Sequence, residues 1–313
     1  MKDFTISTKE GKRIHGKLIS FPLGKKGINV PNLDIILIHA FPFDSDMFLP
    51  NFKEEQFNDG LDEFSMRQGN IRFFLPDMSG CGKSEPFDSN PENLTPYCKI
   101  IRDITLEFNI EHLILGGCSM GGYITLEFAN QYPNQVDGLI LIDTRPSADS
   151  EEQKENRLTH IKNFRKILKN TDDTGNESLF LGGFYSEYKE VRNFIDSLFS
   201  KVITEDLIEN NPKKGERVKK IMKNQSMQGV IHALYGMAGR GDNTDVLKRF
   251  KGQILIIVGE KDEITPVETA KQMAQIALNS RLRIIPSAAH LSNWENPSIF
   301  NSILIDWISS ILD

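Results

Sequence analysis

The chain has 313 residues, 39% hydrophobic and 26% charged, and its 37 basic and 43 acidic residues leave a formal net charge of −6. Such a chain can bury a core, is not disordered as its main state, and gains nothing from counterion release on DNA or from anionic lipid. Its longest apolar runs are about five residues against about 20 for a membrane span, and Met1, Lys2, Asp3 and Phe4 open no apolar leader. The expectation is a cytoplasmic protein with no nucleic-acid or membrane partner. Cys81, Cys98 and Cys118 are odd in number and lack metal-ligand spacing, so they read as buried thiols, with no disulfide framework and no metal.

In chain order, Glu10-Gly11-Lys12 lies between two candidate strands and predicts a hairpin within residues 2–21. Short apolar runs follow at 35–38, 71–75, 113–115, 139–142, 254–258 and 282–285. They are too short for helices and read as strands buried on both faces, hence parallel. Helical stripes separate them: Tyr97, Ile101, Ile104 and Phe108, then Ala270, Met273 and Ile276. Alternating strand and helix predicts an α/β fold, a mostly parallel sheet with helices on both faces.

The alternation stops after the sixth strand, at 142, and resumes at 254. Residues 146–245 carry helical stripes (Leu158, Ile161, Phe164 and Leu168; Phe194 and Leu198), an Asn211-Pro212 break, and an apolar segment with Val230, Leu234 and Met237. They read as a helical cap inserted into the sheet domain, which would comprise 1–145 and 246–313. Thr265-Pro266 with Glu268 predicts a capping box, and Asn296-Pro297 opens a last helix with the stripe Phe300, Ile303, Trp307 and Ile311.

Several strands run directly into residues capable of chemistry: His39, Asp77, Ser119, Asp143 and Asp262, with His290 five residues past the last strand. Ligands of open α/β sheets bind outside the carboxyl ends of the strands, so these side chains can converge on one rim. Gly117-Cys118-Ser119-Met120-Gly121 matches G-x-S-x-G, a serine on a sharp strand-to-helix turn, and it stands between a strand run and a helical pattern. A serine nucleophile needs a histidine base and an orienting acid, in the chain order nucleophile, acid, histidine. Of the three histidines after Ser119, His160 and His232 fall in the insertion, which leaves His290. Asp262 is the preferred acid and Asp143, at the end of the preceding strand, its competitor.

The loop His39-Ala40-Phe41-Pro42 follows the first parallel strand and would supply one oxyanion amide, with Met120 supplying the other. Pro42 has no N–H, so the donor there is Phe41. His39 reads as a structural residue that holds this loop. Gly82-Lys83-Ser84 imitates the end of a phosphate-binding loop, but the first glycine of that motif would fall at Asp77, and nucleotide binding is rejected. In the insertion, Ile231, Leu234 and Met237 are the candidate substrate-binding residues.

These residues together resemble the α/β-hydrolase superfamily over nearly the whole chain. The match consists of the His-Ala-Phe-Pro loop with Asp44 and Met47, Asp77-x-x-Gly80-x-Gly82-x-Ser84, Gly117 to Gly122, and His290-Leu291-Ser292-Asn293 before Glu295-Asn296-Pro297. Asp143-Thr144-Arg145 with Ala148-Asp149 is similar to bacterial hydrolases related to 3-oxoadipate enol-lactonases and pimeloyl-carrier-protein methyl esterases. The resemblance implies a triad of Ser119, Asp262 and His290, a helical cap, and no metal or organic cofactor. The expected function is hydrolysis of a small carboxylic ester or lactone through an acyl-enzyme on Ser119, by a monomer or homodimer. Lactone opening, carbon–carbon bond hydrolysis or cofactor-free perhydrolysis by the same triad are the alternatives, and a ligand-binding receptor is the non-enzymatic one. Ala40 stands where many members of the superfamily carry glycine.

Overall fold

Thr8 and Gly11 reverse the chain near its start: the Gly11 amide donates to Thr8 O, with Gly11 in the left-handed region at φ 79°. This joins β1 (Lys2–Ser7) to β2 (Arg13–Leu23) as the expected antiparallel hairpin. The computed structural model describes residues 1–23, 32–52, 69–171 and 180–312. The other strands are β3 (Leu33–Ile38), β4 (Gly69–Pro76), β5 (Leu113–Cys118), β6 (Val136–Ile142), β7 (Gln253–Gly259) and β8 (Ser280–Ile285). They form one sheet in the order β1-β2-β4-β3-β5-β6-β7-β8, antiparallel at β1/β2 and β2/β4 and parallel from there on.

Among the described residues, α1 (Leu49–Phe52), α2 (Thr95–Glu107) and α3 (Met120–Gln131) return the chain between the early strands, and α13 (Pro297–Leu312) follows the last one. Strands β5 and β6 are buried on nearly every residue, as expected of sheet covered by helices on both faces. β8 departs from the expectation. It is the edge strand, its side chains are mostly exposed or half-buried, and Ile284 is 41% exposed. An edge strand with Arg281 and Arg283 pointing to water offers no apolar row to a further strand.

Between β6 and β7 the chain forms α4 (Glu151–Thr171), α5 (Leu181–Tyr185), α6 (Lys189–Val202), α7 (Glu205–Asn210), α8 (Pro212–Lys223), α9 (Met227–Ala238) and α10 (Thr244–Arg249). The α4 stripe keeps Ile161 and Phe164 of the expected set on the buried face, but its ends differ: Ile167 is buried, Leu168 half-buried and Leu158 48% exposed. At the predicted break, Asn211 caps α8 by accepting from the Lys214 amide (3.2 Å) with Pro212 in its first turn.

Polar contacts seat these helices on the sheet. Ser226 Oγ donates to Gly80 O (2.7 Å), and Gln225 donates to Asp44 (3.0 Å) while accepting from the Gly82 amide (3.0 Å). Gly80 and Gly229 pass so closely that a Cβ on either would enter the other's backbone. Asp149, with a fully buried carboxylate, receives Arg145 (2.9 Å), Arg157 (2.6 Å) and Arg240 (2.8 Å). The remaining helices are α11 (Val267–Ile276) and α12 (Ser292–Glu295), which flank β8 in the chain.

Candidate active site

Ser119 is the turn between β5 and α3, with φ 52° and ψ −112°, a backbone conformation that non-glycine residues rarely adopt. The close packing around it requires glycine on both sides. A Cβ at Gly117 would meet the backbone of Gly121, and one at Gly121 would meet Ile38 O. The Ser119 amide donates to Ile142 O (2.9 Å), and Thr144 Oγ1 donates to Ser119 O (2.8 Å), so the end of β6 braces the turn. α3 starts at Met120, and the first amide that bonds back is that of Tyr123, to Ser119 O (3.2 Å). The amides of Met120, Gly121 and Gly122 therefore have no intrahelical acceptor and carry the positive end of the helix dipole.

The loop after β3 lies against the same turn. His39 is fully buried, its Nδ1–H donates to Ala40 O (2.8 Å), and its Nε2 accepts from the Met78 amide (3.0 Å). Burial lowers its pKa, and one ring nitrogen donating while the other accepts is the neutral imidazole. The Ala40 amide donates to Met47 Sδ (3.0 Å) and that of Phe43 to Ala40 O (3.0 Å). Among the described residues the Phe41 amide makes no hydrogen bond. The ring of Phe41 packs edge-on against Phe194 of α6 at 6.0 Å.

His290 and Asp262 meet at the rim: His290 Nδ1 donates to Asp262 Oδ2 at 2.8 Å, both groups being almost wholly buried. Asp262 also accepts from the amides of Ile264 (2.8 Å) and Thr265 (3.0 Å) and from Thr265 Oγ1 (2.7 Å). Burial alone would raise its carboxyl, but the charge and hydrogen bond of His290, with the hydrogen bonds of Thr265, hold it below the usual carboxylate range. For His290 burial works downward, and the charge and hydrogen bond of Asp262, with the charge of Asp143, carry its pKa above the ordinary value. With Nδ1 committed to Asp262, Nε2 is the nitrogen left for a substrate or hydroxyl. Cys118 Sγ, one residue before Ser119, lies 3.9 Å from His290 O, which brings the loop of His290 alongside the strand that ends at Ser119.

Asp143 has no bond to His290. Its Oδ1 accepts from the Gly259 amide (2.8 Å), and its Oδ2 from the amide (3.1 Å) and hydroxyl (2.6 Å) of Ser292. His160 packs on Phe194 and Phe164, and His232 is buried against Phe87 with its pKa lowered to about 4 by burial and Arg165. Ile231, Leu234 and Met237 are buried on α9. The C-terminal end of α9 approaches α3, where the Arg240 guanidinium lies 4.0 Å from the ring centroid of Tyr123, one turn after Ser119.

Two partners were not visible in the sequence. Thr265, expected to cap α11, gives its hydroxyl to Asp262, and the helix starts at Val267 with Pro266 before it. In the sequence Ser292 stands out only as part of the His290-Leu291-Ser292-Asn293 motif. In the glycine-rich loop after β4, the Gly82 amide is taken by Gln225, the Lys83 amide by Asp77, and Ser84 Oγ donates to Asp77 O, so the amides a phosphate would need are already engaged.

Residues 35–297 match the family model described as alpha/beta hydrolase fold. Among curated proteins the chain is 25% identical to the proline iminopeptidase of Saccharolobus solfataricus, over 99% of this chain and 96% of the relative. Among solved structures, a thermophilic esterase from Thermogutta terrifontis, with malate bound, superposes with a TM-score of 0.78 at 26% identity, covering 99% of both chains. The enol-lactonase of Burkholderia xenovorans LB400 shares the fold with a TM-score of 0.73 at 17% identity, over 98% of this chain and 100% of that one. With the family model spanning most of its length, the chain belongs to the α/β-hydrolase family of enzymes.

Proposed function

We propose that the protein is a serine hydrolase that cleaves a small carboxylic ester or lactone through an acyl-enzyme on Ser119. The observation that carries this reading is the buried 2.8 Å pair of His290 and Asp262 beside a serine held at φ 52° on a glycine-flanked turn. In the proposed mechanism His290 Nε2 takes the Ser119 proton as Oγ attacks the acyl carbonyl, and Asp262 orients the imidazole and stabilises its charged form. The amides of Phe41 and Met120 receive the developing oxyanion, and their lack of other partners leaves them preorganised for it. The imidazolium then protonates the leaving alcohol. Water repeats the attack on the acyl-enzyme with His290 again as base.

In the same reading residues 146–245 are a cap over a core formed by 1–145 and 246–313, with Ile231, Leu234 and Met237 among the walls of the acyl pocket. An ester and a lactone present the same carbonyl to this machinery and differ only in whether the alcohol stays attached.

Ser119→Ala tests the reading: turnover of p-nitrophenyl acetate should fall by roughly 10⁶-fold in kcat, and fluorophosphonate labelling should vanish. Near wild-type turnover in the folded variant would sink it. Release of one equivalent of nitrophenol without steady turnover by the wild-type chain would instead point to a receptor on this fold.

A further inference from the structure

We propose that Asp143 is a positioning residue for this reaction, tying the loop of the acid to the loop of the base and placing a second carboxyl in the surroundings of His290. The inference rests on the serine-hydrolase reading. Its geometry is that of a clamp. Gly259, bonded to Oδ1, lies three residues before Asp262, and Ser292, bonded to Oδ2, lies two residues after His290. One side chain at the end of β6 thus fastens both segments that carry the His–Asp pair. It does so from a fully buried position and from a left-handed backbone, φ 46°, which a residue of this shape adopts at a cost.

All three of its partners are donors and none is a cation, an arrangement that suits an ionised carboxylate. Burial and the nearby charge of Asp262 nonetheless push its carboxyl up to about 7, so it changes charge near neutrality. The other groups around His290 do not duplicate it. Asp262 is the bonded partner; the Cys118 thiol on β5 is pushed well above its ordinary value by burial and is uncharged. Glu295 on α12 is turned toward the Ala289 amide (2.6 Å) and Thr204 (2.5 Å to its hydroxyl).

Asparagine at 143 removes the negative charge and offers one acceptor oxygen where three donors now converge. Alanine at 292 removes one donor, leaving the ionised form of Asp143 less favoured and the charge at a given pH smaller. Both changes should make His290 easier to deprotonate. A residue that merely packed the core would lower activity without moving the titration of His290.

The experiment follows the His290 imidazole by NMR across pH in the wild type, Asp143→Asn and Ser292→Ala, assigned by the signal lost in His290→Gln. Fluorophosphonate labelling of Ser119 is measured in parallel. The expected result is a midpoint lower by about half a pH unit or more in Asp143→Asn, a modest through-space charge effect for a buried site. The acid limb of kcat/KM should move the same way, and Ser292→Ala should show a smaller shift of the same sign. Labelling with an unmoved midpoint overturns the role of Asp143 and leaves the nucleophile standing. No labelling of the wild type overturns the hydrolase reading and the positioning role with it. If Asp143→Asn does not fold, the shift in Ser292→Ala decides.

Discussion

Two buried aspartates of this chain have contrasting partners. Asp149, between β6 and α4, is met by Arg145, Arg157 and Arg240, whereas Asp262, at the rim of the sheet, is met by two amides, a hydroxyl and His290. Guanidinium groups keep their charge at any pH a protein meets, so the cluster at Asp149 is fixed and can serve only to hold segments together. The partner of Asp262 gains and loses a proton near neutrality. Both carboxyls are held below the usual range, Asp149 against burial by Arg157 and Arg240, Asp262 against burial by His290 and Thr265. The same direction of shift therefore accompanies an anchor in one place and, in the proposed mechanism, a working pair in the other.

Replacing Asp262 with Asn should break the contrast on the side of chemistry. The amide would donate where the carboxylate accepts, hold the imidazole in the wrong tautomer, and cost about 10⁴-fold in kcat with the fold intact. Asp143→Asn should cost far less. Steady-state kinetics on variants checked by circular dichroism rank the two, and the reverse order would move the acid to the end of β6.

Asp149→Ala should break it on the side of stability. Three arginines would be left around a vacated site, and losing one partner of a buried ionic cluster costs about 3 kcal/mol. Urea unfolding monitored by fluorescence would show it as a lower midpoint. An unchanged midpoint would mean that the arginines find other partners and that the insertion is held elsewhere, for instance at Gln225 and Ser226.

The pH profile sharpens the comparison further. His290 has its pKa raised, and only its neutral form can accept the Ser119 proton, so kcat/KM should rise with pH through a value above the ordinary histidine value of about 6.5. Below that limb activity should drop roughly tenfold per pH unit. A limb centred well under 6 would show that Asp262 does not stabilise the imidazolium as its 2.8 Å hydrogen bond implies.

How far these features could be read in advance follows from the range of the forces involved. The buried strands and the serine turn are local patterns, legible because an apolar run or a G-x-S-x-G carries its own context. The exposure of β8 could not be read, because an edge is defined by the strand that is missing beside it. The capping-box pattern at Thr265 places the helix start one residue early, and it says nothing of the bond from the Thr265 hydroxyl to Asp262, which only the fold brings within reach. The clamp at Asp143 joins residues 116 and 149 positions away in the chain, which no spacing rule encodes. Between β6 and β7 the apolar period identified helices and put Ile161 and Phe164 of α4 on the buried face, but it also included Leu158, which is exposed, because the partner surfaces of that helix were not legible.

The smallest expected effect concerns the walls of the proposed acyl pocket. Ile231, Leu234 and Met237 are each no more than 2% exposed on α9, the helix whose far end stacks Arg240 on Tyr123 one turn from Ser119. If some of them face the acyl chain, truncation to Ala enlarges the space for a longer chain and removes contacts from a short one. A buried methylene is worth about 0.8 kcal/mol, close to fourfold, so the ratio of kcat/KM for hexanoyl over acetyl esters should rise by several-fold in at least one variant. Side chains that only fill the core of the insertion would respond differently: each truncation would lower stability by about 2 to 5 kcal/mol and leave the ratio alone. Measuring both quantities on the three variants separates the outcomes, and an unchanged ratio in all three folded proteins would assign this stretch of α9 to packing.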